Sequence, residues 1–278
     1  MADLFLRFPN GLMKALTLSY DDGTEQDVQL VEIMNRYGLK GTFNLNGGQF
    51  APEGTTYPQG QIHRRMTEKA VVELLAGSGH EIAIHGYYHG DLPNQPVAHA
   101  VWQVVRDKEK LENTFDRIIR GMAYPYGTYT PEFARALRDC GVAYARTVHS
   151  THQFELPSDW LALPATCHHN DPRLMELAKT FVETKPWRAQ MFYLWGHSFE
   201  FEANNNWHVL EEFAQYISGR EDIWYATNIE IHDYVEAWRG MHISADGRRL
   251  YNPSAIPLWA AVGRKVVRIG SGEEVFVG

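Results

Sequence analysis

The sequence predicts an α/β fold built on a parallel sheet. Three observations carry that reading. Short apolar runs alternate with amphipathic helical patterns from about residue 15 to residue 238, and they make seven strand–helix units in order. Helix-capping and turn residues sit at the junctions between those runs. With 278 residues, 44% hydrophobic and 22% charged, the chain has the composition of an ordinary globular protein of one large domain or two small ones. Repeated βα units leave two architectures open, a doubly wound sheet and a closed barrel, and periodicity does not choose between them.

Taken in order, Ala15–Tyr20 reads as the first strand. Thr24 then stands as a helix N-cap with Asp27 three residues on, and Val28, Val31, Met34 and Tyr37 follow at helical spacing up to Gly38. Thr42–Leu45 is a strand, and residues 46–66 form a loop rich in Gly, Pro and Gln. Thr67 caps a helix that stops near Gly77 and Gly79, and Glu81–His85 is the third strand. Gln95–Asp116 is a long amphipathic helix, Ile118–Tyr124 a strand, and Thr130-Pro131 opens a helix with proline at its first position. Val142–Val148 is a strand, and Asp171-Pro172 opens a helix to about Glu183. Met191–Trp195 and Ile223–Ala226 are strands, each followed by a helix, Trp207–Ile217 and Ile229–Trp238. From Gly240 the rhythm changes to short strands with Gly/Pro turns. Residues 1–239 are therefore expected to form the main domain and residues 240–278 a small β-rich extension packed on it.

Charge and composition narrow the function. The balance of 26 basic against 34 acidic residues gives −8 and contains no Lys/Arg-rich run, which argues against nucleic acid and against an anionic membrane surface as partners. Two cysteines, Cys140 and Cys167, exclude a disulfide framework and a Cys-rich zinc module. No stretch approaches the roughly 20 apolar residues of a membrane helix. The start lacks a basic segment followed by a long apolar run, so a cytoplasmic protein is expected.

In βα architectures reactive groups collect at the C-terminal ends of strands. Those ends carry Ser19-Tyr20-Asp21-Asp22-Gly23, His85-Gly86-Tyr87-Tyr88-His89, Tyr124-Pro125-Tyr126-Gly127 and Trp195-Gly196-His197-Ser198. Adjacent carboxylates repel unless a cation intervenes, so Asp22 on a metal would leave Asp21 free as a base; either could instead merely cap a turn. His85 and His89 have a spacing that one metal can bridge, although two ordinary loop histidines are an alternative among thirteen. With Asp22 they make an Asp/His/His set that suits Zn2+ or a similar divalent ion with open positions. His197 titrates near neutrality and can serve as a general acid opposite Asp21; a lone histidine there is otherwise a core or capping residue. The Pro125–Gly127 turn can aim the Tyr126 backbone N–H as an oxyanion donor, or can be an aromatic turn without chemistry. His168-His169 could line the rim or lie on the surface, Glu200 and Trp207 could line a cleft, and the other histidines, His63 included, have no supporting partners.

SYDDG, HGYYH, AYPYG and WGH, in that order, resemble the motifs of the polysaccharide deacetylases with the nodulation-protein-B homology domain, carbohydrate esterase family 4. The resemblance runs from about Leu16 to Trp238. It implies a distorted (β/α)7 barrel, TIM-like, with a divalent metal, most often Zn2+ (Co2+, Mn2+ or Ni2+ are alternatives). It also implies hydrolytic removal of N- or O-acetyl groups from a carbohydrate or amino sugar. By residue, Asp21 matches the catalytic base, Asp22, His85 and His89 the metal ligands, Tyr126 the oxyanion donor and His197 the general acid. Trp195 falls where the family often has a leucine lining the acetyl pocket. The chain departs from the pattern in two places. Ala123 stands where an arginine often orients the base, with Arg120 nearby, and Asp159-Trp160 resembles only loosely the motif whose aspartate tunes the acid histidine. The expected partner is an acetylated carbohydrate or a small amide. Two alternatives remain: an amidohydrolase acting on small or cyclic amides in the manner of an allantoinase, which would survive chelation, and a carbohydrate-binding protein without catalysis.

Overall fold

The first expected strand is longer than its apolar core. In the computed structural model, which describes residues 3–278, it is β2 (Lys14–Asp21), buried along its whole length, and it follows a short strand β1 (Leu4–Arg7). The remaining parallel strands are β3 (Gly41–Leu45), β4 (Glu81–Ile84), β5 (Gly121–Ala123), β6 (Tyr144–Ser150), β7 (Leu163–Ala165), β8 (Cys167–His168), β9 (Gln190–Gly196) and β10 (Ile223–Tyr225). They hydrogen-bond in the order β7-β6-β5-β4-β3-β2-β9-β8, and β10 lies against Lys14–Leu16 of β2.

The two ends of this sheet meet, which makes the expected barrel. Residues 163–168 pair with β6 through their first half and with β9 through their second. Thr166 ties the seam: its N–H donates to Tyr193 C=O at 2.9 Å and its C=O accepts from His152 N–H at 2.9 Å. Continuous burial on both faces is why the strands read as unbroken apolar runs rather than alternating ones. Closure rests on this short segment, whose strands of three and two residues are too short to show a period.

Among the described residues eight α-helices pack outside: α1 (Asp27–Arg36), α2 (Glu68–Leu75), α3 (Val97–Phe115), α4 (Pro131–Asp139), α5 (Leu174–Glu183), α6 (Ser198–Ala203), α7 (Trp207–Ile217) and α8 (Asn228–Arg239). Local chemistry starts several of them as expected. Thr67 and Thr130 accept from Ala70 N–H and Phe133 N–H, and Thr227 with Glu230 closes a capping box on α8. Thr24 is a correction. Its hydroxyl does not cap α1 but pairs with Ser198 Oγ at 3.0 Å, and Ser198 in turn donates to Asp27 Oδ1 at 2.5 Å. That buried chain ties the end of β2 to the end of β9.

The lower end of the barrel is plugged by polar side chains that satisfy one another. Glu81, at the start of β4, accepts from Tyr144 OH at 2.7 Å, Thr42 Oγ1 at 2.8 Å and Ile229 N–H at 2.9 Å. Burial pushes its carboxyl up to about 7, against the pull of these donors. Beyond α8 lie β11 (His242–Ile243), β12 (Arg249–Tyr251), β13 (Leu258–Val262), β14 (Lys265–Ile269) and β15 (Glu274–Phe276). They form two antiparallel three-stranded sheets, β1-β13-β14 and β11-β12-β15. Thus β1, which Arg7 and Pro9 obscure in the sequence, is held by the distant β13. Among the described residues no helix is long and apolar enough to cross a membrane.

Candidate active site

Because the barrel strands are parallel, their C-terminal ends open on one rim, and the residues singled out from the sequence arrive there from four strands. Asp21 ends β2, His85 follows β4, Tyr126 follows β5, and Trp195 and His197 lie at the end of β9. The backbone is held in unusual conformations at this rim. Asp22 (φ 86°), His89 (φ 54°) and Tyr126 (φ 59°) all adopt positive φ, a state that costs a non-glycine residue about 1–3 kcal/mol and clusters at functional sites.

Asp22, His85 and His89 converge. Their ligand atoms lie within 4.8 Å of one another, with His89 Nε2 3.6 Å and His85 Nε2 3.9 Å from Asp22 Oδ1. The fit to a divalent cation shows in His85. This ring is 1% exposed and its Nδ1–H can donate to Ala123 C=O at 2.9 Å. Its Nε2 is left buried with no hydrogen-bond partner, facing the carboxylates. Burial pushes His85 down to about 4 despite the two aspartates, so at neutral pH it is the neutral imidazole that a metal ligand must be. Asp107 of α3 and Asn46 fix the strand end beneath it. Asp107 accepts His85 N–H at 3.0 Å and Gly47 N–H at 2.6 Å, while Asn46 Nδ2 donates to the carbonyls of His85 at 2.5 Å and Gly86 at 2.6 Å.

Asp21 has partners of its own. It is 2% exposed, and its Oδ1 accepts from Asn44 Nδ2 at 2.8 Å. Its Oδ2 stands 3.7 Å from His85 Nε2 and 3.8 Å from His197 Nε2. The partner that sequence reading missed is Arg146. This fully buried guanidinium donates to Asp21 Oδ2 and lies 4.3 Å over the Trp195 ring. Arg146 is the register partner of Ala123 across β5 and β6. An arginine therefore reaches Asp21 from the strand beside Ala123, and Arg120 pairs with Asp233 instead. Burial alone would raise the Asp21 carboxyl, but Arg146, His85 and His197 outweigh it and hold it below the usual carboxylate range. A signal was present: a cation inside the mostly apolar expected strand Val142–Val148 requires a buried anion once that strand lies in the core.

His197 has its own carboxylate. Its Nδ1 lies 3.1 Å from Glu200 Oε1, so Glu200 stands where Asp159 was considered. Asp159 caps Leu161 N–H at 2.9 Å. Burial opposes the charged imidazole, but the Glu200 hydrogen bond and the charges of Asp21 and Asp22 prevail and raise His197 above its ordinary value. Glu200 also meets His168, which is partly exposed, and His169, which is buried. Trp207 packs on Phe201, with ring centroids 4.9 Å apart.

The loop 46–66 adds two residues that the sequence did not single out. Arg65 Nη2 pairs with Asp22 Oδ1 at 2.9 Å, and His63 Nε2 lies 3.2 Å from Asp22 Oδ2. Burial acts to raise the Asp22 carboxyl; the His63 hydrogen bond and the Arg65 charge outweigh it and keep Asp22 ionised. Trp195 is 8% exposed beneath the opening, and Tyr126, 61% exposed, sets its ring 4.8 Å from that of His89.

Residues 10–145 match the family model described as polysaccharide deacetylase, which bears out the resemblance carried by SYDDG, HGYYH and AYPYG. No curated protein matches the chain. Among solved structures, a candidate polysaccharide deacetylase from Mycobacterium smegmatis is similar at 17% identity and a TM-score of 0.61, over 86% of this chain and 96% of that one. The PuuE allantoinase is similar at 13% identity and TM-score 0.58, over 81% and 91% of the two chains. A family 4 carbohydrate esterase from Streptomyces lividans, solved with acetate, is similar at 14% identity and TM-score 0.51, over 77% and 92%. At these identities the likeness is one of fold, and it supports the TIM-like barrel.

Proposed function

From the match of residues 10–145 to the polysaccharide deacetylases, we propose that this chain is a metal-dependent hydrolase that removes acetyl groups from a carbohydrate or amino sugar. The observation that carries the reading is the arrangement of Asp21 Oδ2, with an imidazole on either side at 3.7 and 3.8 Å, next to the Asp22/His85/His89 cluster.

Asp22, His85 and His89 would hold the divalent ion, most simply Zn2+, which when bound supplies a Lewis acid for the acetyl carbonyl. Asp21, kept ionised by Arg146, takes a proton from the attacking water. The Tyr126 backbone N–H donates to the oxygen that gains charge, a contribution of about 3–4 kcal/mol for a well-placed donor. His197, protonated because Glu200 faces its Nδ1, gives its Nε2 proton to the leaving nitrogen. The carbonyl carbon–nitrogen bond breaks, and a free amine and acetate result. Trp195, pinned by Arg146, lines the side of the pocket that receives the acetyl methyl.

The test is acetate release from acetylated mono- and oligosaccharides, with small and cyclic amides in the same screen. Activity is expected on an acetylated sugar, lost on chelation and restored by Zn2+. His85→Ala or His89→Ala is expected to lower bound metal as well as turnover. Full metal content in those variants, or hydrolysis of cyclic amides alone and unaffected by chelator, rejects the reading.

Glu200 is a positioning residue in this scheme, and a pH profile exposes it. As an acid, His197 works below its folded pKa, so activity falls as pH rises through that value. Glu200→Gln removes the charge that raises it. The alkaline limb is therefore expected to move to lower pH, with kcat falling more than KM rises. An unmoved alkaline limb would show that Glu200 does not set the pKa of His197.

A further inference from the structure

A second group of ligating side chains lies beside His197 and is not used in the scheme above except through one oxygen. His168 ends β8, His169 follows it, and Glu200 lies in the first turn of α6. His168 Nε2 and His169 Nε2 approach the same atom, Glu200 Oε2, at 3.2 and 3.0 Å. The three ligand atoms lie within 4.8 Å of one another. His169 is 1% exposed, yet neither of its ring nitrogens has a hydrogen-bond partner. Its Nε2 is close to the carboxylate but not aligned on it.

The fold makes room for this ring at some cost. His169 is stacked between Tyr20 and Phe201, with centroids 5.8 and 4.0 Å away. A Cβ at Gly196 would lie 2.0 Å from His169 Nδ1, so only glycine serves between Trp195 and His197. A buried imidazole without a partner is unfavourable, and such groups call for an explanation. Around a bound cation, lone pairs aim at the ion rather than at each other, which gives close contacts without hydrogen-bond alignment.

We propose that His168, His169 and Glu200 form a second divalent-cation site, distinct from Asp22/His85/His89. Two imidazoles and one carboxylate suit Zn2+ or a similar borderline ion, with coordination completed by water. Glu200 Oε2 ligates while Oε1 stays on His197. His168 Nδ1 accepts from Asn170 N–H at 3.1 Å in a solvent-exposed bond. When Nε2 ligates, its proton moves to Nδ1 and the Asn170 amide turns to water, so the neutral ring keeps its proton count.

Zn2+ titration of the metal-stripped full chain, read by calorimetry and by metal analysis after dialysis, tests this. Wild type is expected to take two equivalents. His169→Phe, which keeps a ring between Tyr20 and Phe201, is expected to take one, and so is the partly exposed His168→Gln should the phenylalanine variant not fold. His85→Ala is expected to keep one equivalent that a further His168→Gln removes. One equivalent in wild type, lost with His85, overturns the proposal, and so do two equivalents persisting in both His168→Gln and His169→Phe. If the first site were misassigned, His85→Ala would bind as many equivalents as wild type while His168→Gln bound one fewer, so the two readings fail separately.

Discussion

Asp21→Asn is expected to lower acetate release by about 10²–10⁴-fold, the range that a positioned proton acceptor contributes. The amide keeps the shape of the carboxyl and a carbonyl oxygen toward Asn44 or Arg146, but it cannot take a proton from water. Asp21 is 2% exposed and shares its Oδ2 between Arg146 and two imidazoles, while the adjacent Asp22 is engaged by Arg65 and His63. The variant keeps Asp22, His85 and His89, and metal content should stay near that of wild type. Steady-state kinetics on folded protein, checked by circular dichroism, decide the matter. Wild-type turnover in Asp21→Asn would remove Asp21 from the base role and with it the proposed mechanism.

Arg146→Met should be costly for both stability and catalysis. Removing one partner of a buried ion pair leaves an uncompensated charge and typically costs about 3–5 kcal/mol. Here the survivor is Asp21, with Asn44 as its remaining close donor. Urea unfolding should show a lowered midpoint, and the shift multiplied by the m-value should give a loss of that size. Without the guanidinium, burial acts on Asp21 less opposed and its pKa rises. A base works above its folded pKa, so the acid limb of the pH profile moves to higher pH. Trp195 also loses the cation 4.3 Å above its ring. The double variant Asp21→Asn/Arg146→Met, which removes both charges, should recover much of the stability and none of the activity. Equal midpoints for wild type and Arg146→Met would show that the pair does not hold the barrel interior together.

Several features of this protein were legible before any coordinates. The βα rhythm depends on local pattern, and so the helices α1, α2, α3, α4, α7 and α8 and the strands β2, β3, β4 and β9 fall where periodicity puts them, with capping residues marking the starts of α2, α4 and α8. The SYDDG, HGYYH and WGH segments could be read because strand ends in a parallel sheet share one side, which turns linear order into spatial convergence. Other features were hidden for a common reason. The strands β7 and β8 have three and two residues and close the barrel only by pairing with β6 and β9, so no local period marks them. β1 exists because β13 pairs with it across most of the chain.

The candidate site divides in the same way. Sequence determined which residue types stand at the ends of β2, β4, β5 and β9, because that follows from strand boundaries and short motifs. Tertiary structure decided what each of them faces. Arg146 reaches Asp21 from 125 positions away, Arg65 and His63 reach Asp22 from a loop, and Glu200 gathers His168, His169 and His197. Electrostatic partnership depends on distance in space and on burial, and neither is written in spacing along the chain.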